Sequence, residues 1–472
     1  MSPSRRSFMT MAATLGAFAF AGDPRSVKAA TGATSLRATT RTLDINGRAA
    51  TVLGLLQADG RQGIVIPPGE HFRVRLVNGL SEPTIIHWHG QTPPVEQDGV
   101  ADLPLPMLAS GATRDFDYAP NAGTHWMHAH VPDQEMLLLA APLIVRTTED
   151  VRADRQEVVL MLHDFSFTPL GEHLARLGSS GSAGQGSHSG HGPAAHGDAG
   201  AAAVDLNDID FDAYLANDRT LADPQVVRIE RGGRVLLRII NGAGATVFWI
   251  DTGTLRGRLV AVDGHPVEPQ PGARIGLAMG QRADIVLDVP REGGAYAILA
   301  LREGARQQTG IVLATAGAPV ARIAPEANAV APPFDGRQEL RLHATSPLLV
   351  GRPDRTLRVT LNGGMTPYAW SIDSQPWGRH RILEVRRGER VELTMENSSM
   401  MAHPMHLHGH AFQVVGSGSQ RFAGAVRDTV HVPPKGRVTI AVDMANPGRW
   451  MFHCHHMPHL AAGMMTELRY VG

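Results

Sequence analysis

A ten-residue pattern that runs from Gly to Asn occurs three times in the chain and constrains its fold more than any other feature. The copies read GEHFRVRLVN at 69–78, GGRVLLRIIN at 232–241 and GERVELTMEN at 388–397. Apolar residues hold the same alternate positions in each copy, as in a β-strand with one buried face. The copies begin roughly 160 residues apart, which is the length of one domain. The repeat therefore predicts three related β-domains.

The bounds of these domains follow from the repeat and from composition. We predict β-sandwiches at 36–148, 155–318 and 336–472, and the 51 glycines and 32 prolines of the 472-residue chain agree with many tight turns. Within the middle domain, residues 178–203 consist almost wholly of Gly, Ser, Ala and His. Such a composition predicts a disordered insert.

The first 30 residues have the composition of an export signal. Arg5 and Arg6 are followed by Phe8, by an apolar run at 9–21 and by small residues at 29–30. This order resembles a twin-arginine signal, and it predicts a mature protein that is periplasmic or secreted; the alternative is a disordered basic tail. The apolar run is too short to predict a membrane span. A net charge of −1 gives no sign of nucleic-acid binding.

Histidines fall at equivalent places in the first and third domains. Nine residues after the repeat, His87 opens HWHG and His406 opens HLHG, whereas the middle domain has Ile250. Five residues after a later glycine stand His128 in HAH and His453 in HCH, whereas the middle domain has Leu299. The outer domains therefore share a histidine pattern that the middle domain lacks.

These pairs predict a site for several metal ions. Residues i and i+2 of a strand share one face, so each His-x-His pair directs two imidazoles the same way. Imidazole binds copper, zinc, nickel and iron. We expect eight histidines to converge between the first and third domains, the alternative being packed histidines that match by coincidence; they are His87, His89, His128, His130, His406, His408, His453 and His455.

Cys454 is the only cysteine, so it forms no disulfide within the chain. Its side chain faces away from those of His453 and His455, and it aligns with Ala129 of the first domain. Together with His403, His459 and Met464 it forms the ligand set of a mononuclear blue-copper site. A cysteine nucleophile would not need the paired histidines, and structural zinc sites use more thiolates.

Four motifs make the chain resemble the bacterial three-domain multicopper oxidases, which include laccase-like and copper-efflux enzymes. They are HWHG at 87–90, HAH at 128–130, HPMHLHG at 403–409 and HCHHMPHLAAGM at 453–464. The resemblance implies an all-β fold of three Greek-key, cupredoxin-like sandwiches and four copper ions. It assigns His403, Cys454, His459 and axial Met464 to type 1 copper, and His87 and His406 to type 2. The type 3 pair receives His89, His128, His130, His408, His453 and His455.

The resemblance also implies a reaction. A reducing substrate gives electrons singly to the type 1 site, and Cys454 passes them through His453 and His455 to a cluster that reduces O₂ to water. Asp98 matches the family's proton-relaying acid, although "DG" is also a common turn. Many relatives have a second acid where this chain has Leu460. Asp428 either orients a ligand histidine or makes an ordinary structural hydrogen bond.

The reducing substrate is less well defined than the reaction. We expect a phenol, an aromatic amine or a metal ion, oxidised with O₂ by a monomeric enzyme. A cuprous oxidase is the alternative, because Met400, Met401 and Met405 crowd His403, although core packing is the favoured explanation for these methionines. The insert histidines His188, His191 and His196 either bind copper weakly or are solvated. A copper-binding or structural protein without activity would have lost ligands, and a two-domain nitrite reductase would lack His455.

Overall fold

The computed structural model describes residues 32–179, 206–272, 274–348 and 351–472. The predicted signal at 1–30 and the insert histidines lie outside the described residues. The insert prediction is wrong at its first two residues, since Gly178 and Ser179 end a helix. Within the described ranges, no helix has the length and apolar character that a membrane crossing requires.

The first domain has two four-stranded sheets, ordered β2-β1-β4-β6 and β3-β8-β7-β5. Two short helices, α1 (Pro132–Met136) and α2 (Thr148–Arg152), follow β7 and β8. The strands are β1 (Thr34–Ile45), β2 (Arg48–Gln57), β3 (Ile64–Ile66), β4 (Phe72–Asn78), β5 (Ile86–His89), β6 (Thr113–Tyr118), β7 (Gly123–Ala129) and β8 (Ala140–Val145).

The middle domain has a six-stranded sheet, β10-β9-β12-β17-β14-β15, and a five-stranded sheet, β11-β19-β18-β13-β16. Helix α3 spans Leu170–Ser179. The strands are β9 (Gln156–Phe165), β10 (Ala213–Ala216), β11 (Val226–Ile229), β12 (Arg234–Asn241), β13 (Phe248–Asp251), β14 (Arg256–Val262), β15 (His265–Pro271), β16 (Arg274–Leu277), β17 (Arg282–Asp288), β18 (Ala295–Arg302) and β19 (Gln308–Thr315).

The third domain has a seven-stranded sheet, β21-β20-β23-β29-β25-β26 with β27 beside β25, and a five-stranded sheet, β22-β31-β30-β24-β28. Helix α4 (Met457–Ala461) follows β30. The strands are β20 (Arg355–Met365), β21 (Tyr368–Ile372), β22 (Leu383–Val385), β23 (Arg390–Asn397), β24 (His403–Leu407), β25 (Phe412–Ser417), β26 (Gln420–Arg421), β27 (Val426–Arg427), β28 (Thr429–Val432), β29 (Arg437–Asp443), β30 (Arg449–Cys454) and β31 (Met465–Tyr470).

The repeated segment is the same strand in each domain. Strands β4, β12 and β23 each pair in parallel with the domain's first strand and antiparallel with a later one. Their alternate apolar residues lie in the three separate cores, as the period of two predicts. Strand β12 is also buried on its other face, where Ile240 packs with Trp126 of the first domain. The all-β prediction is confirmed, and the first domain covers the middle one at this strand.

The outer domains meet around the helices that follow their ligand strands. Met136 of α1 packs with Met457 and Leu460 of α4 in one apolar cluster. Burying such side chains contributes about 1.5–3 kcal/mol each. The contact brings β7 and β30, which carry the HAH and HCH motifs, to the same place.

Candidate metal centres

Two pairs of adjacent antiparallel strands carry five of the eight paired histidines, and the other three follow directly after β7, β24 and β30. In β5 and β7, His87 lies opposite His128, and in β24 and β30, His406 lies opposite His453. In the middle domain the strand register differs by one residue from the one that the sequence spacing predicts. Ile250, which aligns with His87, lies opposite Ala300 and not opposite Leu299, which aligns with His128. Seven of the eight rings are at most 1% exposed, and His130 is partly exposed.

The eight rings converge in one space between the first and third domains. Nitrogens of His89, His128 and His455 lie within 4.8 Å of one another, as do those of His130, His408 and His453. The two remaining rings face each other, with Nε2 of His87 3.3 Å from Nε2 of His406. The rings thus group into two triads and one facing pair, each with histidines from both domains, and His89 of the first triad also lies within 4.8 Å of the facing pair.

The hydrogen bonds around these rings leave unshared electron pairs that face one another. Nδ1 of His87 donates to the backbone oxygen of Asp98 at 2.9 Å, and Nδ1 of His406 donates to that of Asp428 at 2.9 Å. With those protons on Nδ1, both Nε2 atoms present lone pairs to each other across 3.3 Å. Two facing lone pairs repel unless a cation lies between them, so the pair fits a metal ion.

The other rings support the same conclusion. Nε2 of His128, Nε2 of His130 and both nitrogens of His455 are buried without a hydrogen-bond partner. Buried polar atoms without a hydrogen-bond partner destabilise a folded protein unless a bound metal ion or other group contacts them. Burial also holds the pKa well below its ordinary value for His89, His128, His130, His408, His453 and His455, which keeps them in the neutral form that binds metals.

Two aspartates hold histidines on both sides of the domain boundary. The Asp98 carboxylate accepts from Nδ1 of His408 at 2.8 Å, and that of Asp428 accepts from Nε2 of His89 at 3.0 Å. Burial alone would raise the pKa of Asp428, but the guanidinium of Arg282 outweighs it and holds that pKa well below its ordinary value. The orienting role that was one of two predictions for Asp428 agrees with this contact.

Glu135 is a site residue that the sequence analysis missed. Its Oε2 accepts from Nδ1 of His128 at 2.8 Å, and its Oε1 is buried without a partner 3.9 Å from Nδ1 of His455. Burial raises the pKa of the Glu135 carboxyl well above its ordinary value. The sequence does contain a signal for it. Glu135 follows Ala129 by six residues, as Leu460 follows Cys454, so Glu135 is the first-domain counterpart of Leu460.

The sulfur-containing site lies within the third domain alone. Sγ of Cys454 is 3.6 Å from Nδ1 of His403 and 3.7 Å from Nδ1 of His459, and these two nitrogens are 3.1 Å apart. Met464 is fully buried, and its backbone is hydrogen-bonded to Cys454 and His459. Burial raises the pKa of the Cys454 thiol well above its ordinary value, so only a bound cation would keep it a thiolate. Two imidazoles, one thiolate and a distant thioether fit copper.

His459 is covered on every side. Trp370 lies on one face at a ring distance of 4.0 Å and His456 stacks on it at 3.8 Å. Oδ2 of Asp208 is 3.2 Å from its Nε2 and also accepts from the Tyr368 hydroxyl. Asp208 and Tyr368 were not foreseen, because no spacing within the motifs points to them.

A cavity of about 230 Å³ lies beside this site, between the middle and third domains. His456 lines it, which puts the ring stacked on His459 at the cavity wall. The rest of the lining is mostly apolar and includes Met279, Met401, Phe334, His431 and Glu303. Met401 therefore belongs both to the core and to the cavity, while Met405 is wholly core.

Comparison with known proteins gives the family context. Sequence models described as multicopper oxidase match residues 59–150, 185–317 and 352–471. The multicopper oxidase MmcO of Mycobacterium tuberculosis is 32% identical over 85% of this chain and 80% of its own length. Copper resistance protein A of Escherichia coli is 24% identical over 99% of both. A solved laccase-like multicopper oxidase from Ochrobactrum sp. superposes with a TM-score of 0.70 at 18% identity over 94% of this chain and 98% of its own, which confirms the predicted cupredoxin-like fold.

Proposed function

Because this chain belongs to the multicopper oxidase family, it is a copper-binding oxidoreductase that uses O₂ as electron acceptor, and we propose that it holds four copper ions. One ion is bound by His403, Cys454, His459 and Met464, one by His87 and His406, and two by the triads. The observation that supports this number is the division of the buried nitrogens into two triads, one facing pair and one sulfur site.

The bound copper ions supply one-electron steps, by which four electrons from the reducing substrate convert one O₂ and four protons into two waters. The protein's part is to hold the ligands, connect the two sites and supply protons. Cys454 is bonded through the backbone to His453 and His455, so β30 is the covalent connection along which electrons cross. Asp98 and Glu135 are the buried carboxyl groups beside the ligands that can hold a proton.

The cavity beside His459 is proposed to bind the reducing substrate. Its volume of about 230 Å³ suits one substituted aromatic ring, and its lining is mostly apolar. We therefore favour a phenol or an aromatic amine. A specific observation supports Cu(I) as the second candidate, because the thioethers of Met279 and Met401 line the same cavity with His456 and Glu303.

Copper analysis and parallel turnover assays test this proposal. The loaded protein should contain about four copper ions per chain, show the blue thiolate absorption and consume O₂ with a phenol, with Cu(I) or with both. Fewer than about three ions per chain would reject the cluster. A Met279→Leu, Met401→Leu double variant should lose Cu(I) turnover and keep phenol turnover if the thioethers bind the metal substrate.

We also propose that the protein is exported by the twin-arginine route. The pair Arg5–Arg6 and the apolar run that follows this pair support the proposal. An Arg5→Lys, Arg6→Lys variant expressed with its own N-terminus should remain in the cytoplasmic fraction, while an Arg25→Lys control is exported. Export of both variants would contradict this route.

A further inference from the structure

None of the twelve proposed ligands belongs to the middle domain, yet that domain touches the ligand set, at His459 through Asp208 and at the paired histidines through one further segment. The segment is Gly280–Arg282, the turn before β17 and that strand's first residue. It enters between the first and third domains, and each of its three residues makes a different contact there.

Arg282 connects all three domains through one fully buried side chain. It donates to both carboxylate oxygens of Asp428 at 2.7 and 2.5 Å, and its Nε donates to the backbone oxygen of Thr124 in the first domain at 3.1 Å. Paired hydrogen bonds from a planar guanidinium fix the orientation of a carboxylate as well as its position. Asp428 in turn accepts from His89 through its carboxylate and from His406 through its backbone oxygen.

Gly280 and Gln281 act on the same ligands from the same direction. A Cβ added at Gly280 would lie 3.0 Å from Cδ2 of His455 and 3.1 Å from Cε1 of His89, so the backbone here packs directly on both rings. Nε2 of Gln281 donates to the backbone oxygen of Thr429 at 3.1 Å. The hydroxyl of Thr429 lies 3.1 Å from both His89 Nε2 and His406 Nδ1.

We propose that Gly280–Arg282 is a positioning element of the copper cluster, through which the middle domain sets the ring orientations of His89, His406 and His455. The inference depends on the proposed function, since these rings must hold copper. It gives the domain without ligands a direct part in the site, because removing the guanidinium would release Asp428 and with it one ligand from each outer domain. The sulfur-containing site has none of these contacts and should not respond.

Arg282→Gln, Arg282→Lys and Gly280→Ala test the proposal, with Arg238→Gln as the matched control. Arg238 is an equally buried arginine of the same domain, paired with Asp150, Glu157 and Asp284 and also bonded to Thr124, but it does not touch Asp428. Copper per chain, the electron paramagnetic resonance spectrum of the His87–His406 ion and the blue absorption are measured on purified protein. Substrate KM and kcat are measured separately.

We expect Arg282→Gln to bind cluster copper 10- to 100-fold more weakly, as loss of a group that orients ligands does. Arg282→Lys should bind copper but show altered hyperfine splitting, since an ammonium cannot make the paired contact. Both should keep the blue absorption and KM while kcat falls. Arg238→Gln should match the parent in all copper signals, whatever its stability.

Parent-like spectra and copper content in Arg282→Lys and Gly280→Ala would overturn the positioning role. The same result in Arg282→Gln would do so equally, and if that variant does not fold, the other two decide. Equal spectral changes in Arg238→Gln would reduce the effect to general loosening of the domain and also reject the proposal. A parent protein that binds no cluster copper would instead reject the proposed function.

Discussion

The first and third domains surround their histidines in a reciprocal way. Asp98 of the first domain accepts from His87 through its backbone oxygen and from His408 of the third domain through its carboxylate. Asp428 of the third domain accepts from His406 through its backbone oxygen and from His89 of the first through its carboxylate. Each aspartate thus holds one histidine of its own domain and one of the other, so the cluster exists only where the two domains meet.

The two aspartates differ in their remaining partner. Arg282 pairs with Asp428 through both carboxylate oxygens, whereas no arginine or lysine in the described part of the chain pairs with Asp98, whose Oδ1 makes no hydrogen bond. A carboxylate locked to a guanidinium suits an orienting role, whereas a carboxylate with one oxygen unpaired suits the proton relay proposed for Asp98. The two aspartates therefore make reciprocal contacts to histidines but differ in whether a guanidinium holds the carboxylate.

The residues that flank the paired histidines differ more strongly between the two domains. Relative to the paired histidines, Thr84 and Gln134 stand where the third domain has His403 and His459, and their side chains are hydrogen-bonded at 2.6 Å. Ala129 stands in the place of Cys454. In the first domain, a neutral hydrogen bond thus occupies the place where the third domain has its proposed metal site.

The largest expected effect comes from removing the sulfur that distinguishes the third domain. Cys454→Ser should lose the blue absorption and one copper per chain, and substrate oxidation should fall to the background, because the hydroxyl is a poor copper ligand and electrons lose the thiolate through which they enter the backbone path. The cluster should keep its copper, because its eight histidine ligands come from the first and third domains and do not include Cys454. Absorption, copper analysis and O₂ uptake check this, and retained turnover would contradict the electron path.

Asp98→Asn addresses the aspartate without a cation. The amide oxygen can still accept from His408, so copper content and the blue absorption should match the parent. Loss of the exchangeable proton should lower kcat by roughly 10²–10⁴-fold, the usual contribution of a positioned acid. Steady-state O₂ uptake with a saturating donor measures this. Loss of cluster copper would instead assign Asp98 an orienting role.

Asp428→Asn should give the opposite pattern. The neutral amide cannot satisfy Arg282 and would leave the buried guanidinium with only its longer ion pair to Asp263, at 3.7 Å. We expect cluster copper to bind roughly 10- to 100-fold more weakly, with the lower kcat following from that loss. Chelator competition on the two asparagine variants side by side measures the difference. Identical behaviour of the two would break the distinction between the aspartates.

How far the sequence predicts this site depends on whether a feature is local. The fold class and the convergence of the eight histidines follow from strand period and short spacings, which do not change with the packing of domains. Arg282 reaches Asp428, and Asp208 reaches His459, across domain boundaries, and no spacing along the chain encodes either approach. Glu135 is a different case, because the alignment of Ala129 with Cys454 would have found it.

Glu135 and Leu460 test whether equivalent positions can exchange a carboxyl group. Glu135→Gln keeps an acceptor for Nδ1 of His128, so the ring should stay oriented while the proton is lost. We expect kcat to fall roughly 10-fold, a small loss for an acid because Asp98 remains. Adding Leu460→Glu, in the same crevice, should restore part of it. A double variant slower than Glu135→Gln would contradict the exchange.

The smallest effect should come from placing the sulfur in the wrong domain. Ala129 is fully buried, so Ala129→Cys adds one atom to a packed core at a cost of about 1 kcal/mol. It should give no second blue absorption and no fifth copper, because Thr84 and Gln134 offer a hydroxyl and an amide in place of two imidazoles. Absorption and copper analysis of the variant check this. A new blue band would show that a thiolate is enough to form such a site in this fold. His403 and His459 would then not explain why the sulfur-containing site is confined to the third domain.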